Sequence, residues 1–203
     1  MTWPASASGG RVRRAAARAT SALIVGVLVL AVAGCSDDAG SEAADPQATA
    51  QAVQALVDRG AAELAAGDLD AATATFGHVL DLDDDNTLAY YNLGLVAEQS
   101  GDLDRALDHY DAALDSDGEY GPALYNKGIL TETDDLEKAV DLYEDAIAAQ
   151  PEFAPAYMRL GFALDHLGRA DEARPYLERG LQLDPAMAEV SIPDYAADLG
   201  DTP

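Results

Sequence analysis

The chain is 203 residues long, with 12 Lys and Arg against 37 Asp and Glu and a net charge of −25. Nucleic-acid binding is excluded, because phosphate affinity comes from basic patches that this composition lacks. A single Cys excludes an intrachain disulfide framework and any multi-cysteine zinc site, while the length suffices for one domain with a sizeable core.

Residues 1–21 carry Arg11, Arg13, Arg14 and Arg18 and no acid, and an apolar run from Ala22 to Ala33 follows, broken only by Gly26. As a helix this run spans about 18 Å, short of the ~30 Å hydrocarbon core of a bilayer. It therefore reads as a secretory signal rather than a membrane span. The run ends in Val32-Ala33-Gly34-Cys35, which resembles the bacterial lipobox. The resemblance implies a signal peptide of residues 1–34, cleaved to leave a diacylated Cys35 as the first mature residue. It implies a protein exported and lipid-anchored to the extracytoplasmic face of the cell membrane, touching the bilayer only through that anchor. Lipidation also accounts for a lone cysteine in an exported chain. Loss of the signal removes four of the 12 basic residues and no acid, so the net charge deepens from −25 to −29.

With the lipidated Cys35, residues 36–52 (SDDAGSEAADPQATAQA) form a small, polar and acidic stretch that cannot bury a core. The expectation is a flexible tether over 35–52. Asp45-Pro46 inside it reads as a helix start, since Asp caps orphan amides and Pro suits the first turn.

The remainder is periodic. Gly60, Gly94, Gly128 and Gly161 are 34, 34 and 33 residues apart, and Ala72, Ala106, Ala139 and Ala173 are 34, 33 and 34 apart. Gly67, Gly101 and Gly168 follow three of those first glycines by seven residues. Large residues precede each first glycine by four (Leu56, Tyr90, Leu124, Tyr157) and follow each alanine by four (Phe76, Tyr110, Tyr143, Leu177). This period predicts helix–turn–helix units stacked into a solenoid.

Tyr90-x-x-Leu93-Gly94 with Ala106-x-x-x-Tyr110, and Tyr157-x-x-Leu160-Gly161 with Ala173 and Pro185, resemble the tetratricopeptide repeat (TPR). The resemblance implies an all-α, right-handed superhelical solenoid of four TPR units at 53–86, 87–120, 121–153 and 154–187. Unit three lacks a turn glycine and is one residue short near Thr133-Asp134-Asp135, and unit one has Glu63 where an aromatic is usual. Residues 188–203 should add a turn or two and an irregular tail. Its Ile192, Tyr195 and Leu199 are expected either to cover the end of unit four or to plug the groove.

Helix-A positions 2, 5, 6, 9, 12 and 13 of this family tend to face the concave groove. By position, a partner-binding groove would be lined by Tyr91, Asn92, Leu95, Tyr125, Asn126, Ile129, Met158, Arg159 and Phe162. Stacking would align Tyr91, Tyr125 and Met158 as an apolar stripe beside a row of Asn92, Asn126 and Arg159. That chemistry suits an extended or helical peptide: amides both donate and accept, and Arg pairs with carboxylates. A chaperone-tail carboxylate clamp does not fit, because Tyr91, Leu95 and Pro155 stand at three of its positions.

Units one to three carry net −7, −7 and −6, and unit four only −1. The acidity either steers a basic partner or only solubilises the domain. Asp81–Asn86 and Asp115–Glu119 resemble fragments of calcium loops but lack the EF-hand's Gly at six and Glu at twelve, so solvated inter-repeat loops are expected, with no metal. His78, His109 and His166 fall at three different repeat positions, and the sequence offers no His pair at helical ligand spacing, no phosphate-cradling glycine loop and no free thiol after lipidation. No catalytic residue, enzymatic activity or cofactor is expected. The reading is a lipid-anchored scaffold that binds a protein or peptide partner at the cell envelope. The alternative is a structural envelope lipoprotein that forms oligomers without peptide capture. The oligomeric state is open.

Overall fold

The computed structural model describes residues 45–193 and Tyr195, so the signal run, Cys35 and the start of the tether lie outside the described residues. Eight α-helices pair in chain order: α1 (Pro46–Ala65) with α2 (Leu69–Leu82), α3 (Thr87–Ser100) with α4 (Leu103–Ser116), α5 (Gly121–Thr131) with α6 (Leu136–Ala149), and α7 (Ala154–His166) with α8 (Ala170–Leu183). A 3₁₀ turn, Pro185–Glu189, closes the series. The first helix of each pair, A, packs on its own partner, B, and each B helix packs on the next A helix. No strand occurs among the described residues.

The helix starts follow from side-chain chemistry. Asp68, Asp102 and Asp135 cap α2, α4 and α6, accepting from the amides of Ala71, Arg105 and Lys138 at 3.3, 3.3 and 3.0 Å. Asn86 caps α3 through Ala89 N at 2.9 Å. Part of the acidity is therefore helix capping. Asp45 likewise accepts from Gln47 N at 3.0 Å, with Pro46 in the first turn. The tether expected over 35–52 is consequently helical from residue 46, because this cap starts α1 seven residues before unit one's nominal boundary. The turns after α1, α3 and α7 use Gly67, Gly101 and Gly168 at φ +77, +80 and +78, where a side chain is strained. Unit three does without: α5 stops at Thr131 and the chain passes through Glu132 in ordinary right-handed geometry. Within α8, Pro175 removes one amide from the helix interior.

The repeated small residues are where paired helices meet. Ala72, Ala106 and Ala139 are fully buried and Ala173 is 1 % exposed. A methyl group on Gly60, Gly128 or Gly161 would fall 2.7, 2.6 or 2.5 Å from the side chains of Phe76, Tyr143 and Leu177 respectively, and one on Gly94 would collide with Tyr110. The A-helix glycine is thus the floor on which the large B-helix side chain lies. Core clusters run in series, each drawing residues from neighbouring pairs, as with Tyr143 and Ala173 beside Leu160 and Ala163. This is the contact pattern of a solenoid, in which each repeat depends on its neighbours.

Candidate partner-binding groove

Tyr91 and Tyr125 occupy equivalent places in α3 and α5 and build the same aromatic group twice. Tyr91 lies 5.9 Å from Tyr110 and meets Tyr120 edge-on at 5.2 Å. Tyr125 lies 5.9 Å from Tyr143 and meets Phe153 edge-on at 5.0 Å. Edge-to-face contact at such spacing is the favourable aromatic arrangement. Tyr120 and Phe153 each stand immediately before the next A helix, so the aromatic group also fixes where that helix begins.

The buried tyrosines carry hydroxyls that need acceptors, and the A helices supply them. Tyr110 Oη donates to Glu98 Oε1 at 2.6 Å, and Tyr143 Oη donates to Glu132 Oε1 at 2.5 Å. The next A helix then reaches back. Asn126 Nδ2 donates to Tyr91 Oη at 3.5 Å and Tyr110 Oη at 3.3 Å. Arg159 Nη1 donates to Glu132 Oε2 at 2.8 Å, with the Glu132 side chain 8 % exposed. Burial, together with the charge of Tyr120, pushes the Tyr91 hydroxyl up to about 12. Burial also raises Tyr110 and Tyr143, reinforced by Glu98 and Glu132. Burial works against the Arg159 charge, but Glu132 and the nearby phenols outweigh it and hold the guanidinium protonated above its ordinary value.

The positions expected to line the groove therefore divide. Asn126 and Arg159 are engaged in bonds between repeats. Asn92 turns back on its own helix, donating to the Leu88 carbonyl at 2.7 Å. The expected amide–amide–guanidinium row is not a set of free grips, because each member has an intramolecular partner. Met158, expected in the apolar stripe, is only 5 % exposed and covers Gly180 of α8; with glycine there, the thioether sinks toward α8. Leu95, Ile129 and Phe162 remain half-buried with surface to offer, as do Tyr91 and Tyr125. Leu64 and Ala65 of α1 with Leu95, Glu98 and Gln99 of α3 enclose an open cavity of about 490 Å³ on this inner face.

Sequence reasoning singled out neither Glu98 nor Glu132 for the role they play. A signal exists: the two units with Tyr in helix B carry Glu at the end of helix A, whereas the unit with Phe76 carries Leu64 there. In unit one the acid sits one place earlier. Glu63, where an aromatic is usual, accepts from Thr75 Oγ1 at 2.6 Å and Arg59 Nε at 2.7 Å. Tyr195 is the further addition. Its ring is 4.9 Å from that of His166 and its hydroxyl 3.4 Å from Glu132 Oε1.

Helix pairs stacked in series, each B helix packed on the next A helix, define the class of helical-repeat proteins. Two models described as tetratricopeptide repeat match residues 57–121 and 130–192, together more than half of the chain. The chain belongs to the tetratricopeptide-repeat family, whose members generally mediate protein–protein interaction and are not catalysts. Among solved structures it is similar to MamA, 26 % identical, with 71 % of this chain and 85 % of that one covered and a TM-score of 0.58. PilF of Pseudomonas aeruginosa is 23 % identical over 68 % of this chain and 64 % of its own, at a TM-score of 0.62. A thermophilic TPR protein of Thermus thermophilus, TTC0263, is 23 % identical over 66 % and 75 %, at 0.55. These last two show likeness of fold. No curated protein matches the sequence.

Proposed function

We propose that the protein is a lipid-anchored scaffold that binds a segment of another protein along the inner face of its A helices, at the envelope. The observation that carries this reading is the open cavity between Leu64, Leu95 and Gln99, continued by the half-exposed Ile129 and Phe162. A partner segment laid there buries apolar surface, at roughly 25 cal/mol per Å², without breaking the bonds that hold Asn126 and Arg159. Leu95→Glu with Phe162→Glu tests it, since neither side chain belongs to the hydrogen-bonded network of Glu98, Asn126, Glu132 and Arg159. Capture of envelope proteins should fail while circular dichroism and oligomer size stay unchanged. Retained capture, or loss of oligomers instead, contradicts it.

The anchor rests on Val32-Ala33-Gly34-Cys35 behind a basic and apolar leader. No helix among the described residues is long and apolar enough to cross a membrane. Cys35→Ser should move the protein from the membrane fraction to the soluble one; unchanged membrane association contradicts lipidation.

A further inference from the structure

The chain's own Tyr195 reaches the inner face. After the 3₁₀ turn ending at Glu189 the chain is extended at Val190, and Tyr195 lies, half-buried, over the ends of α5 and α7. It meets the His166 ring at 4.9 Å and Glu132 Oε1 at 3.4 Å, on the same carboxylate that holds Tyr143 and Arg159. The contact joins residues 63 apart. Glu132 and His166 stand at the two repeat positions that Leu64 and Gln99 hold two units earlier, where the inner face is open. The same wall is thus filled by a tyrosine at one end of the groove and empty at the other.

We propose that Glu132, Arg159 and His166 form a tyrosine subsite of the groove, held in the free protein by Tyr195 and taken over in the complex by a tyrosine-bearing partner segment. The subsite reads both halves of the side chain. The His166 ring packs against the phenyl group at a tilt, and Glu132 accepts the hydroxyl, with Arg159 holding that carboxylate in place. The short chain from Glu189 to Tyr195 keeps the internal tyrosine at a local concentration in the millimolar range, so it competes with any partner that uses the same wall. The groove is then closed at units three and four until displacement and receptive at units one and two from the start. A partner would engage the open end first and displace the tail second.

This proposal rests on the groove being the binding face, and a probe taken from the chain itself separates the two. A fluorescein-labelled peptide of residues 190–199 is titrated into the full chain and into its Tyr195→Ala variant. The variant should bind at least about tenfold more tightly, because its tethered competitor is gone. Adding His166→Ala, at an exposed position, should weaken that binding about three- to tenfold, and a peptide with alanine in place of its tyrosine should not bind. Equal affinity for the two chains overturns the proposal, as does no binding to Tyr195→Ala at millimolar peptide or indifference to His166→Ala. If the peptide behaves as expected while the Leu95 and Phe162 variant still captures envelope proteins, the subsite stands and the wider groove reading falls.

Discussion

Glycine in helix A has one purpose at Gly94, whereas the helical Gly77 of a B helix has no packing purpose. A methyl group on Gly94 collides with the Tyr110 ring, while one on Gly77 meets no atom within 4 Å. Tyr110 is fully buried and its hydroxyl is committed to Glu98, so the ring cannot retreat without losing a hydrogen bond. Gly94→Ala should therefore destabilise the domain by about 1–3 kcal/mol through overpacking. Gly77→Ala should stabilise it by about 0.5–1 kcal/mol, by helix propensity alone. Thermal or urea unfolding of the two variants checks both signs.

At the scale of the helix, the acidic residues have a structural explanation before a functional one. Each of α2, α4 and α6 begins with an Asp whose side chain accepts a first-turn amide. The fourth B helix begins with Arg169, which makes no cap and instead pairs with Glu172 at 2.8 Å and Glu137 at 3.2 Å. Asp135→Ala should cost about 1 kcal/mol, and Arg169→Ala less, since exposed ion pairs contribute little; denaturant midpoints compare the two. Helix pairing and the crossings at Gly and Ala were legible because backbone approach leaves a strict period in small residues. The groove was less legible. Family positions placed Met158, Asn126 and Arg159 on one face, but glycine at 180 lets Met158 sink, and buried tyrosines on α4 and α6 draw Asn126 and Arg159 into the network between repeats. These outcomes depend on residues in neighbouring helices, and a one-dimensional period does not carry them.

Across the whole molecule the phenols make the fold sensitive to alkali. Tyr91 is held up to about 12 by burial, and Tyr110, Tyr143 and Tyr195 are raised as well, burial leading in each. The ordinary value is 10.0. The folded chain therefore keeps these protons where the unfolded chain releases them. The stability they contribute is whole below pH 10.0 and is lost as pH climbs toward the folded values. Unfolding should set in between about pH 10 and 12, with these four phenols ionising in the same cooperative step. Ionisation of Tyr91, Tyr110, Tyr143 and Tyr195 ahead of unfolding contradicts this. The net charge of −25 adds self-repulsion at high pH, and added salt should delay the transition by screening it.

Site-specific photo-crosslinking in the producing cells tests the binding face most directly. A crosslinking residue is placed in turn at Leu95, Ile129 and Phe162 on the inner face, and at the exposed Asp108, Asp141 and Glu178 on the B helices. Adducts with another protein are predicted from the three inner positions and none from the three outer ones. Adducts from the outer positions alone, or inner positions that join only a second copy of this chain, would contradict a groove that holds a partner segment.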